Sequence, residues 1–125
     1  MGEAFEALNK ARYASLTTVR SNGTPVSTPV WVAVSDQRAY VVSRGPGKVR
    51  RIGHNPAVEI CPSDMRGRAR GEIEPGLARI IGGDPPGPEV RRAFRRKYGP
   101  FPALTRIGAR LLRRDLVLLE ISPRD

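Results

Sequence analysis

Histidine and cysteine occur once each, as His54 and Cys61, in a chain of 125 residues. A single cysteine excludes an intrachain disulfide, and the expected setting is a reducing, cytoplasmic compartment. One imidazole and one thiol leave a metal site dependent on carboxylates, and the sequence offers no cluster of them; no metal is expected. Neither a Ser/His/Asp nor a Cys/His arrangement for nucleophilic catalysis can be assembled. Aromatic residues make up only 6% of the chain. That scarcity argues against a barrel that stacks single-stranded nucleic acid on aromatic platforms, the alternative from another functional class. No segment approaches the ~18 apolar residues of a membrane span. Met1 to Lys10 carries both signs of charge and no apolar run, unlike a secretory leader.

Acidic residues are also short, with 12 Asp+Glu against 22 Lys+Arg and a formal net charge of +10. Arginine supplies nearly all of the surplus, since the lysines are Lys10, Lys48 and Lys97. Such a balance attracts anions: nucleic acid, acidic membranes, or phosphorylated and carboxylated small molecules. A chain of this length forms one domain, residues 1–125. It buries only about two-thirds of its unfolded surface, so a sheet-built core gains from a partner subunit.

Glu3 to Arg12 carries apolar residues at helical spacing and reads as a short opening helix. From Tyr13 the period changes to two. Tyr13 to Arg20 is a strand, Ser21-Asn22-Gly23 a hairpin turn, Pro25 to Val34 the return strand, and Arg38 to Ser43 a third. Lys48 to His54 reads as one or two helical turns, stopped by Asn55-Pro56. Ala57 to Pro62 is a fourth strand, and Ala69 to Ile81 a long one with a bend or bulge near Pro75-Gly76. Pro88 opens a helix with Val90, Ala93, Phe94 and Tyr98 on one face and Arg91, Arg92, Arg95 and Arg96 on the other. A second helix is expected over Phe101 to Leu112, and Leu116 to Ile121 closes the chain as a buried strand. Strands first, a helical pair, then a last strand predict an all-β/α+β fold with about six to seven antiparallel strands in a small barrel.

Two stretches meet chemistry. In Ser43-Arg44-Gly45-Pro46-Gly47-Lys48-Val49-Arg50-Arg51 a strand ends in a hydroxyl, glycines expose backbone N–H groups, and cations follow at a helix start. Free N–H donors and full positive charges make this a phosphate pocket in chemical terms. A solvated basic turn is the plainer alternative. The second is Thr24-Pro25-Val26-Ser27-Thr28-Pro29-Val30-Trp31. Two prolines in one strand point to an edge, where backbone groups turned from the ladder can meet a planar polar ligand beside Trp31. Trp31 as a core aromatic is the competing assignment. His54 and Cys61 read as structural, Cys61 as a small buried hydrophobe.

The order and spacing of these pieces, from the Asn22-Gly23 hairpin through Pro25–Trp31, Tyr40–Ser43, Gly47–Arg51 and Asn55-Pro56, resemble the pyridoxamine-phosphate-oxidase-like split barrels. Cys61-Pro62-Ser63-Asp64-Met65-Arg66-Gly67 and Leu77-Ala78-Arg79-Ile80 resemble the deazaflavin-dependent branch. The likeness runs from about Leu8 to Pro123. It implies a homodimeric oxidoreductase passing hydride between reduced coenzyme F420 and an unidentified small organic substrate, with flavin mononucleotide as the alternative cofactor. A non-enzymatic cofactor carrier is a further alternative. The cofactor phosphate is expected on Ser43 and Lys48, helped by Arg44, Gly47, Val49, Arg50 and Arg51. The ring is expected along Thr28, Pro29, Val30 and Trp31. No catalytic residue is assigned. Gly47 stands where flavin-mononucleotide binders place a basic residue, and the C-terminal extension of true pyridoxamine-phosphate oxidases is missing; both favour the deazaflavin.

Overall fold

The computed structural model describes residues 5–44, 46–81, 88–98 and 116–124. In chain order the elements are α1 (Glu6–Lys10), β1 (Tyr13–Val19), β2 (Pro25–Ser35), β3 (Arg38–Arg44), α2 (Pro46–His54), β4 (Ala57–Ser63), β5 (Glu74–Ile81), α3 (Pro88–Tyr98) and β6 (Leu116–Pro123). The six strands close a barrel in the order β1-β2-β3-β6-β5-β4. Every pairing is antiparallel. Closure pairs strands all the way round and leaves no continuous edge for aggregation. The fold class and the opening helix are those expected. The first helix of the expected pair is α3, while the second, Phe101 to Leu112, lies outside the described residues.

Period-two alternation assigns the faces. Ala14 and Leu16, Val30 and Val32, Ala39 and Val41, Val58 and Ile60, and Leu119 and Ile121 point inward and are buried together. Phe5, Leu8 and Ile52 complete this interior from the helical segments. On the outside of β2, β3 and β6, Ala33, Tyr40, Val42 and Leu118 pack under Val90 and Phe94 of α3. The arginine-rich flank of α3 is left to solvent at Arg92, Arg95 and Arg96. Tight turns hold the register. Gly23 takes φ +90° in the first hairpin, and its N–H donates to Arg20 O at 2.8 Å. Asp36 and Gln37 take φ 52° and 58° in the two-residue second turn, a conformation whose twist matches paired strands.

The fifth strand departs from expectation. It begins at Glu74, not Ala69, and the ladder with β4 runs without a slip through Glu59↔Pro75 and Val58↔Gly76. The irregular stretch lies earlier. Asp64 Oδ1 accepts from the backbone N–H of Arg66 and Arg68, both at 2.9 Å, and Oδ2 accepts from Arg68 Nε at 2.8 Å. A single bridge, Ser63↔Ala69, follows this turn. Residues 71–73 then lie outside any ladder, with Gly71 against Pro62. The donors gathered on Asp64, the backbone N–H of Arg68 first, hold its carboxyl down at about 2. A turn knotted on one carboxylate supplies the bend, so Gly76 does not have to.

Gly76 serves space instead. A Cβ there would lie 2.5 Å from Ile121 Cγ2 and 3.1 Å from Ser122 O. Gly76→Ala should therefore lower stability by about 1–3 kcal/mol through overpacking, read as a lower denaturant midpoint at unchanged slope.

Lys97 fastens α3 to the barrel. Its Nζ donates to Val32 O at 2.6 Å and to Leu8 O at 2.7 Å, joining α3, β2 and α1. Burial outweighs these acceptors and lowers its pKa from 10.5 to about 8. Between those two values the unfolded chain binds more proton than the folded one, so this lysine makes stability rise with pH there, and the gain is gone once pH has fallen to about 8. Chemical denaturation of wild type and Lys97→Met across that window should show a steeper rise in the wild type, with parallel curves below it.

Candidate functional site

The barrel is closed, but β2 changes partner half-way. Residues 25–30 pair with β1, from Val19↔Pro25 to Ala14↔Val30. Residues 31–35 pair with β3, from Trp31↔Val42 to Ser35↔Arg38. A two-residue turn makes Ser35↔Arg38 a hydrogen-bonded closing pair, so odd positions of β2 aim their backbone groups at the β3 side. Pro25 and Pro29 are both odd. They fall on the stretch where β3 has left, and there a missing N–H costs no ladder bond. β3 continues through Ser43↔Val117 and Arg44↔Leu116 on β6 alone. The split between the first half of β2 and the end of β3 is thus written into the register, and α2 begins two residues beyond Arg44.

α2 starts at Pro46, whose missing N–H is harmless at a first helical position. Its first turn contains no acidic residue. Lys48 is only 8% exposed. Burial, and after it the charge of Arg51, lower its pKa below the ordinary lysine range. Arg51 Nε donates to Thr18 Oγ1 at 2.5 Å. The Thr18 side chain is fully buried on β1, where Leu16 and Ala14 set the inward face. Gly47 leaves room for this guanidinium, because a Cβ there would stand 2.9 Å from Arg51 Nη1. Neither Lys48 nor Arg51 has a carboxylate partner among the described residues.

Three costs coincide at Lys48. Its charge is desolvated, sits near a second cation, and occupies the first turn of a helix, where the macrodipole is positive. An anion placed against this turn relieves all three. Two unneutralised cations at a helix start form a donor set suited to a phosphorylated ligand. On β2, Thr28 Oγ1 is buried without a hydrogen-bond partner among the described residues.

The expected residues separate as follows. Gly47, Lys48 and Arg51 gather at the start of α2; Val49 is half-buried and Arg50 faces solvent. Thr28 and Val30 turn inward. Pro29 is exposed, and a Cβ built on Gly67 would stand 3.5 Å from its Cδ. Trp31 packs outside, against the cluster under α3. The four β2 residues therefore do not share one face: Thr28 and Val30 lie on one, Pro29 and the half-buried Trp31 on the other. Ser43 and Arg44 end β3, and the parts expected of their side chains lie outside what is described. Thr18 is a residue that sequence reasoning misses; its signal is a hydroxyl at the third inward position of β1 after Ala14 and Leu16. Cys61 is buried, which raises its thiol pKa, and His54 is exposed. Among the described residues no group of three or more His, Cys, Asp or Glu side chains could hold a metal ion. No described helix is long and apolar enough to cross a membrane.

Replacing Lys48 by methionine keeps the buried stem and removes the charge. In phosphate-free buffer, Lys48→Met should be more stable than wild type, on the order of 1 kcal/mol. Added inorganic phosphate should raise the melting temperature of wild type and leave that of the variant unmoved.

A family model described as pyridoxamine 5'-phosphate oxidase matches residues 1–121. A search of curated proteins found no significant match. Among solved structures, the heme storage protein HutZ from Vibrio cholerae superposes with a TM-score of 0.70 at 14% identity, covering 97% of this chain and 88% of that one. An F420 reductase superposes with a TM-score of 0.65 at 27% identity, covering 100% of this chain and 97% of that one. A pyridoxamine 5'-phosphate oxidase-related, FMN-binding protein from Nostoc punctiforme gives a TM-score of 0.56 at 18% identity, covering 94% and 73% of the two chains.

Proposed function

This chain belongs to the pyridoxamine 5'-phosphate oxidase family, and on that premise we propose that it is an oxidoreductase binding coenzyme F420, with flavin mononucleotide as the alternative. One observation carries the reading: Lys48, a buried cation at a helix start, has Arg51 beside it and no described carboxylate to neutralise either. The likeness to an F420 reductase over the whole chain supports the choice of deazaflavin. So does Gly47, which leaves that position without a basic side chain. Lys48, Arg51 and the first turn of α2 hold the phosphate; the free backbone edge of β2 around Ser27 and Pro29, with Thr28 Oγ1, meets the polar edge of the ring. When bound, the ring supplies the hydride chemistry, and the protein supplies orientation and dry walls. A small organic molecule takes or gives the hydride. The functional unit is a homodimer, which would cover exposed Met65, Ile73 and Leu77.

Binding is tested by titrating F420 and flavin mononucleotide, each followed by its own fluorescence, since Trp31 lies under α3 and reports poorly. F420 should bind more tightly. Lys48→Ala should weaken binding ten- to a hundredfold, the equivalent of about 1.5–3 kcal/mol for a charge-assisted bond. Arg92→Ala and Arg95→Ala should cost only a few-fold, recovered at lower salt, because exposed charges act through a screened field. Equal losses in all three variants, or no saturable binding of either cofactor, would overturn the proposal.

A further inference from the structure

Arg51 differs from the other cations near the start of α2. Arg50 lies on the solvent side, but the guanidinium of Arg51 is held by a buried hydroxyl and occupies the space that the missing Gly47 side chain leaves. Its Nε donates to Thr18 Oγ1 at 2.5 Å. Its Nη1 lies over Gly47, 2.9 Å from where a Cβ would stand. The spacing is i, i+4, so the side chain folds back one turn toward the helix start. A guanidinium carries five N–H donors, and the Thr18 bond uses one. No hydrogen bond or ion pair to the Nη groups occurs among the described residues.

We propose that Thr18 and Gly47 are positioning residues, which aim the Nη fork of Arg51 at the first turn of α2. This rests on the phosphate-binding reading of that turn. Thr18 suits this role because its hydroxyl accepts the Nε–H and has no charge with which to neutralise the guanidinium. A fully buried side chain on a barrel strand also gives that acceptor a fixed position. Gly47 contributes by absence. A Cβ there would meet Arg51 Nη1 at 2.9 Å and force the guanidinium to shift.

The experiment is a double-mutant cycle on affinity for inorganic phosphate, measured calorimetrically on the full chain at one pH and salt. Thr18→Val should weaken phosphate three- to tenfold, Thr18→Ser should restore wild-type affinity, and Gly47→Ala should weaken it comparably. In an Arg51→Ala background, Thr18→Val and Gly47→Ala should have no further effect, because nothing is left to position. A merely structural Thr18 would lower stability equally in both backgrounds and leave phosphate affinity unchanged. Wild-type affinity in Thr18→Val, with binding lost in Lys48→Ala, would overturn the positioning role and leave the phosphate site standing. Phosphate affinity unchanged in Lys48→Ala as well would remove both. Should Thr18→Val fail to fold, Gly47→Ala with and without Arg51→Ala decides the same question.

Discussion

Backbone pairing is the constraint on which everything else here depends. Closing six strands into a barrel satisfies the ladder donors of a short sheet and removes its edges. β2 meets this demand with a different partner on each half: residues 25–30 use β1 and residues 31–35 use β3. The half-way change leaves a short free edge inside an otherwise closed structure. Pro25 and Pro29 occupy it because the outward side there needs no N–H. β3 departs along the same line toward β6, carrying the chain directly into α2. One partner exchange thus creates the gap and delivers a helix start to it.

Much of this is legible in the sequence because local chemistry and global fold agree. The Asn22-Gly23 turn, the alternation in β1, β2 and β3, and the stop at Asn55-Pro56 each follow from short-range rules, and the structure follows them. β5 is less legible. Its run of glycines and one proline suggests a bulge at Gly76, but the bend comes from Asp64, which collects donors from Arg66 and Arg68. A side chain that bonds backbone several residues on leaves little periodic trace. The site divides in the same way. Lys48 and Gly47 stand out in a sequence because a glycine-rich stretch after a strand leads into cations at a helix start. Thr18 does not, since a threonine in a β-branched strand is expected on propensity alone. Only the inward face of β1, set by Ala14 and Leu16, distinguishes it. Trp31 shows the converse: an aromatic beside a suggestive motif is claimed equally by α3, which lies some sixty residues further on.

The surplus of arginine also acquires an order in the fold. Arg68 and Arg70 share Asp64, at 2.8 and 3.3 Å, and Arg79 meets Glu120 at 3.0 Å. These exposed pairs contribute little to stability. Glu120 also accepts from the Tyr40 hydroxyl at 3.2 Å, so three neighbouring strands are linked by side chains in register on the outer face. Lys97 finds two backbone carbonyls. Each of these cations is met by an acceptor that matches its structural role. Carboxylates serve where the pair is exposed, and carbonyls where a helix must be fastened.

The start of α2 is treated differently. Arg51 is given a hydroxyl, which fixes its direction and leaves its charge intact, and Lys48 is buried beside it without a described counter-charge. A carboxylate in place of Thr18 would hold the guanidinium at least as firmly. It would also neutralise the charge that a phosphate is to meet, and set a negative oxygen against the incoming anion. The neutral acceptor therefore separates two properties that an ion pair joins, orientation and neutralisation. Stability is worse for it, because like charges remain together at the positive end of a helix. Stability is the right property to forgo where the missing partner is a ligand: the free energy withheld from the folded chain alone becomes affinity when an anion arrives.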